Sequence, residues 1–140
     1  EDVLSARLNV LNHNVETVPR LYASVRPGAA YRRSLGVLSR ARRRAPGIPV
    51  KSGMMLGLGE SEKEVDETLH DLVDAGCSLL TLGQYLQPGS NHTPVSRFIP
   101  PQEFQSWKDR ALEIGFKAVA SGPFVRSSYH AREMYQGSLL

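Results

Sequence analysis

The sequence predicts an α/β fold in which parallel strands alternate with crossover helices, in an open sheet or an arc of a barrel. Three observations predict it. Short apolar runs alternate with amphipathic segments along the 140 residues. The apolar residues change between a continuous run and the spacing of one helix face. Glycine or proline stands at most of the changes. The resulting order is strand, helix, strand, helix, strand, helix, strand, which argues for βαβ units.

The first strand is read at Leu8–Leu11, ending in the polar string Asn12-His13-Asn14-Val15-Glu16-Thr17. A loop with Pro19, Pro27 and Gly28 follows. Tyr31 to Ala45 places Leu35, Leu38 and Ala41 on one helix face, and Pro46-Gly47 stops it. Val50 to Leu58 reads as the second strand, rich in Gly and Met. Ser61 is a helix N-cap, and Glu64 completes a capping box. Val65, Leu69, Leu72 and Val73 mark the buried face of that helix, which Gly76 ends. Ser78 to Leu86 is the third strand, followed by a polar loop from Gln87 to Pro94. Pro100-Pro101 opens a helix with Phe104, Trp107, Ala111 and Ile114 on one face, capped by Gly115. Ala118 to Ala120 is the fourth strand, leading to Ser121-Gly122-Pro123-Phe124 and a polar tail.

The totals fit one ordinary globular domain, with 41% apolar and 22% charged residues. No stretch approaches the roughly 20 apolar residues of a membrane span. The first residues lack a secretory signal, so the expected location is cytoplasmic, with no membrane partner. The net charge of +3 is concentrated at Arg32, Arg33, Arg40, Arg42, Arg43 and Arg44. A nucleic-acid surface would interleave aromatic residues with that charge, and few are present, so no nucleic-acid partner is expected. The single cysteine, Cys77, can neither form an internal disulfide nor hold an iron–sulfur cluster by itself.

In parallel α/β folds, ligands bind beyond the carboxyl ends of the strands. Those ends are Asn12 to Glu16, Leu56 to Glu60, Gln84 to Gln87 and Gly122 to Tyr129. Gly53, Gly57 and Gly59 weaken a strand by about 0.5–1 kcal/mol each relative to alanine. A strand tolerates that at a tight turn, or where a flat ligand or another backbone comes close. The string lacks the lysine and hydroxyl of a P-loop. Asn14 and Glu16, two residues apart, point to one side of an extended segment and suit the hydroxyls of a ribose. They equally suit a polar turn. Arg126-Ser127-Ser128-Tyr129 reads as a phosphate contact, a turn or a helix cap.

Five strings together closely resemble the lipoyl synthases, a family of radical S-adenosylmethionine enzymes. They are Asn12 to Pro19, Val25-Arg26-Pro27-Gly28, Lys51 to Glu60, Leu82 to Pro88, and Ala120 to Tyr129, in the family's order. The third also fits the wider radical-SAM pattern G-x-I-x-G-x-x-E, with Met55 where isoleucine is usual. The resemblance implies a partial (β/α)6 TIM-like barrel, of which residues 1–140 supply the C-terminal strands, helices and cap. It implies insertion of two sulfur atoms, at C6 and C8 of an octanoyl chain held on a lysine of a lipoyl carrier domain or H protein. It implies S-adenosylmethionine and two [4Fe–4S] clusters as cofactors, and a ferredoxin or flavodoxin as electron donor. The SAM contacts it implies are Asn14, Glu16, Lys51, Leu56, Gln84 and Leu86, with Leu56 and Leu86 flanking the adenine. It also implies that Ser127, with Ser128 as its alternative, ligates the auxiliary cluster.

The departure from the family is large. Its members carry C-x3-C-x2-C and C-x4-C-x5-C, and this chain has neither. It therefore reads as a C-terminal piece, expected to be inactive alone. The rival reading is a non-catalytic module that meets an acidic lipoyl carrier domain through Arg32 to Arg44.

Overall fold

The computed structural model describes residues 10–25 and 30–126. Four parallel strands form one sheet in the order β1-β2-β3-β4, where β1 is Leu11–Asn12, β2 Val50–Leu56, β3 Leu79–Gln84 and β4 Ala118–Ser121. The helices are α1 (Tyr22–Val25), preceded by a 3-10 turn at Pro19–Leu21, then α2 (Tyr31–Arg44), α3 (Glu62–Asp74) and α4 (Pro101–Ile114). Strand order follows chain order with no reversal, so every crossover advances in the same direction. That is the winding of a barrel arc and not of a doubly wound sheet, which needs a switch point.

The register fixes which side chains share a face. Lys51 pairs with Leu79, Gly53 with Thr81 and Met55 with Gly83, while Asn12 pairs with Lys51. Val50, Met54, Leu56, Leu80 and Leu82 point the other way, into a core with Leu38 and Ala41 of α2, Val65, Leu69 and Leu72 of α3, and Phe104 and Ala111 of α4. The helices thus cover one face of the sheet. The opposite face carries small and polar residues, with Lys51, Gly53 and Thr81 at its centre.

Local chemistry matches the predicted helix ends, while β2 and β3 stop at Leu56 and Gln84, two residues short of the expected Leu58 and Leu86. Ser61 Oγ accepts from Glu64 N–H at 3.2 Å, and Ser61 N–H donates to Glu64 Oε1 at 2.9 Å, which closes the capping box. Gly115 ends α4 at φ 140°. Gly76 follows α3 at φ 102°, and a Cβ there would lie 2.7 Å from Arg42 Cγ, so glycine is needed both for its backbone and for the packing of α2. The first strand differs from expectation. Among the described residues it comprises Leu11 and Asn12, and Leu8 lies outside them.

Candidate functional site

The chain after β1 does not continue extended, and the reason lies at Glu16. Its φ is +73°, and Thr17 N–H donates to Val15 C=O at 2.9 Å. This is a three-residue γ-turn of the rarer, positive-φ kind. For a residue with a Cβ, such a conformation costs about 1–3 kcal/mol and persists only where its surroundings over-determine it. They do so here. Glu16 N–H donates to Gly53 C=O at 3.0 Å, and Glu16 C=O accepts from Met55 N–H at 2.9 Å. Val15 on one side of the turn and Val18 beyond it are fully buried. The backbone of Glu16 is thereby locked to the carboxyl half of β2.

Glu16 and Met55 stand between two adjoining hollows. One, of about 370 Å³, lies over the small-residue face of the sheet and is lined by Asn14, Glu16, Gly53, Met55, Thr81, Gly83, Leu86, Val125 and Arg126, among others. The second, of about 470 Å³, lies against α1 and the loop after β3, with Ser24, Val25, Tyr85, His92 and Thr93 in its wall. Glu16, Met55 and Pro88 line both. Each hollow falls within the usual range for small-molecule sites, about 300–1,000 Å³. Together they offer a carboxylate and an amide beside apolar Met55, Leu86 and Val125.

Glycine makes the room. A Cβ at Gly53 would meet Thr81 Oγ1 at 2.4 Å and Asn14 Oδ1 at 3.0 Å. A Cβ at Gly83 would meet Val125 C=O at 2.3 Å, so the chain leading to Arg126 crosses β3 where no side chain is present.

The loop from Tyr85 to Ile99 is held by Gln84. This side chain is 6% exposed. Its Nε2 donates to Tyr85 C=O at 2.9 Å and Arg97 C=O at 3.1 Å, and its Oε1 accepts from Ile99 N–H at 2.8 Å. Gly57, at φ 105°, packs directly against it: a Cβ there would lie 2.4 Å from Arg97 C=O and 2.5 Å from Gln84 Nε2. Glu60 folds back on the same turn, accepting from Gly57 N–H at 2.9 Å and Leu58 N–H at 3.0 Å. Tyr85 OH donates to Thr93 C=O at 2.6 Å, and Thr93 Oγ1 donates to Ser24 C=O at 3.3 Å, which joins the loop to α1.

The six residues expected at one cleft are therefore divided. Asn14, Glu16, Gln84 and Leu86 line it, although the Gln84 amide is spent on the loop backbone. Leu56 does not line it. Its side chain is on the helix face, 1% exposed within the core, because strand parity turns it away from Gly53 and Met55. Met55 occupies the place expected of Leu56, and parity along β2 is the signal that finds it. Lys51 is on the cleft side but one layer below Gly53, outside the lining of either hollow. It is 1% exposed, and its Nζ makes no hydrogen bond among the described residues. Burial pushes its pKa below the ordinary lysine value. Ser127 and Ser128 lie outside the described residues. Gly53, Thr81, Gly83 and Arg126 line the cleft without having been singled out as its contacts.

No cluster of three or more histidine, cysteine or acidic side chains placed to hold a metal occurs among the described residues. Cys77 is buried, and burial pushes its thiol up to about 12, so it remains a protonated, apolar-like residue. Among the described residues the hollows offer a carboxylate, an amide and apolar side chains, and no set of side chains placed to hold an iron–sulfur cluster. Among the described residues no helix is long and apolar enough to cross a membrane.

No family model matches the chain. Among curated proteins it is similar to the lipoyl synthase of Methylococcus capsulatus, 60% identical over 123 residues, covering 88% of this chain and 38% of that protein. The lipoyl synthase of Chlorobium phaeovibrioides is 57% identical over 129 residues, 92% of this chain and 45% of its own length. That of Desulfotalea psychrophila is 56% identical over 136 residues, 97% of this chain and 46% of its own length. The chain thus spans about two fifths to a half of the length of the curated relatives it matches, and its resemblance to lipoyl synthases extends over nearly all of its residues.

Proposed function

We propose that this chain, similar to lipoyl synthases over most of its length, is the part of such a radical-SAM sulfurtransferase that builds one wall of the S-adenosylmethionine and substrate cleft. The reaction of the whole protein would then be insertion of two sulfur atoms, at C6 and C8 of an octanoyl-lysyl carrier domain. The observation that carries this reading is convergence. Asn14 and Glu16, Gly53 to Met55, Gly83, Gln84 and Leu86 to Pro88, and Val125-Arg126 come from four separate strings of the resemblance, and all line one cleft.

Bound S-adenosylmethionine would supply hydrogen-atom abstraction from the octanoyl chain. The rest is work for this chain's own side chains. The Glu16 carboxylate and the Asn14 amide would take the ribose hydroxyls or the methionine ammonium. The γ-turn fixes the Glu16 backbone, so the direction in which its side chain leaves the chain is set before binding. Met55 and Leu86 would bracket the flat base. Leu86, 50% exposed, gains the more from being covered.

The cysteine ligands of both clusters would come from elsewhere in the whole protein. By resemblance Ser127, or Ser128 in its place, is the auxiliary-cluster ligand that this chain contributes. A lipoyl carrier domain or H protein would present the octanoyl chain, and a ferredoxin or flavodoxin would supply electrons. The test is the full-length protein, reconstituted with iron and sulfide and given SAM, a reductant and an octanoylated carrier. Lipoylated carrier together with 5′-deoxyadenosine supports the proposal. 5′-Deoxyadenosine without sulfur insertion, or neither product, rejects it.

A further inference from the structure

We infer that the outward face of α2 is a docking surface for an acidic protein, separate from the cleft. The identity of the occupant rests on the proposed function: it is the acidic carrier that delivers the acyl chain. The surface itself stands on three observations in α2.

The first is charge. The helix Tyr31–Arg44 contains six arginines and no acidic residue. At 3.6 residues per turn, Arg32, Arg33, Arg40, Arg43 and Arg44 fall within an arc of about 120°. The buried residues Tyr31, Ser34, Leu38 and Ala41 fall within an arc of about 80° nearly opposite. Ion pairs among the described residues include Arg20 to Glu64, Arg97 to Glu103, and Arg110 to Asp66 and Glu113. Arg32, Arg33, Arg40 and Arg43 have none among the described residues. Like charges three and four apart on a helix repel. The macrodipole accounts for Arg42, Arg43 and Arg44 in the last turn. It argues against Arg32 and Arg33 in the first turn, where acidic residues are favoured.

The second observation is Gly36, in the middle of that arc. Glycine is the poorest helix former after proline, and nothing internal requires it here. A Cβ at Gly36 would meet only Arg40 Nη1, at an ordinary 3.5 Å. A notch among arginines, with no neighbour of its own to accommodate, is where a partner's backbone or side chain can approach closely.

The third is placement. Because the strands are parallel, α2 runs back along the sheet, and Arg32 and Arg33 sit at the end where the strands meet the cleft. Arg44 lies about 16 Å further along. The arginine face is turned away from the sheet, so additional strands of the same barrel would not cover it. A partner seated along it would have one end at the cleft mouth. Nucleic acid is disfavoured because the one aromatic residue of α2, Tyr31, is buried with its hydroxyl donating to Asp71 at 2.7 Å.

The test uses the full-length protein and a fluorescently labelled octanoylated carrier, with affinity measured across salt concentrations. The triple variant Arg33→Gln/Arg40→Gln/Arg43→Gln should bind about tenfold or more weakly at low salt and show a shallower salt dependence. Its turnover of a short, uncharged octanoyl-lysyl peptide should equal wild type. Gly36→Trp should also weaken carrier binding while sparing the peptide. Carrier affinity and salt dependence unchanged in the triple variant overturn the proposal. So does arginine-dependent retention of the wild type by duplex RNA or DNA at physiological salt. A wild type that turns over the peptide but does not bind the carrier overturns the docking surface and leaves the proposed function standing. A wild type that does neither overturns both.

Discussion

Gln84→Leu separates a residue that touches ligand from one that holds a loop. Leucine has nearly the same volume and removes all three hydrogen bonds of the amide. Ile99 N–H, buried against Gln84 Oε1 at 2.8 Å, would be left without a partner, at about 1–3 kcal/mol. The two carbonyls served by Nε2 would each lose a bond of net value about 0.5–1.5 kcal/mol. Part of this is offset by burying a more apolar side chain. The expected loss of stability is about 2–4 kcal/mol, read as a fall in the midpoint of urea unfolding at constant slope. SAM affinity should fall as a consequence, since Leu86, Gln87 and Pro88 ride on the same loop. Gln84→Glu keeps the acceptor for Ile99 but points a carboxylate at two carbonyls, and should be as damaging. A Gln84→Leu protein with unchanged urea midpoint and lost SAM affinity would refute this reasoning and return Gln84 to the role of a direct ligand.

Glu64→Gln should lower stability by up to about 1 kcal/mol at neutral pH: glutamine still completes the capping box, but the carboxylate that takes Arg20 in two contacts of 2.8 and 2.9 Å is lost. The Arg20 guanidinium holds the Glu64 carboxyl down at about 2, so the difference from wild type is full above about pH 4.5 and vanishes as pH falls toward 2. Urea titrations at several pH values check it. Gly83→Ala should cut lipoyl product by about tenfold or more, since its Cβ would meet Val125 C=O at 2.3 Å and the 122–126 segment must shift; undiminished product would show that this crossing does not matter. Ser127→Ala should lower the ratio of lipoyl product to 5′-deoxyadenosine. An unchanged ratio rejects Ser127 as the cluster ligand, and the same assay on Ser128→Ala decides whether its neighbour serves.

The order of elements could be read from the sequence because each boundary carries its own chemistry. Ser61 and Glu64 cap each other, and Gly76 and Gly115 stop α3 and α4 at positive φ. The cleft was legible as a set of strand ends, since parallel strands bring their carboxyl ends together. Its interior was less so. The choice between Met55 and Leu56 depends on which face of β2 meets the helices, and β2, apart from Met55, is buried on both faces, so its apolar residues do not alternate. Gln84 looks like a ligand because an amide at a strand end has no local partner in sequence. Apart from the C=O of the adjacent Tyr85, its partners, Arg97 and Ile99, arrive from 13 and 15 residues away. The γ-turn at Glu16 is invisible locally, because it is imposed by hydrogen bonds to Gly53 and Met55 in the next strand.

The central claim is that the hollows flanking Glu16 hold the adenosyl cofactor. Equilibrium dialysis of S-adenosylmethionine against the reconstituted full-length protein, comparing wild type, Asn14→Ala and Glu16→Gln, tests it most directly. Each substitution should raise Kd by about tenfold or more, the loss of one or two hydrogen bonds to a ligand in a preformed site. Wild-type affinity retained in both variants would contradict it.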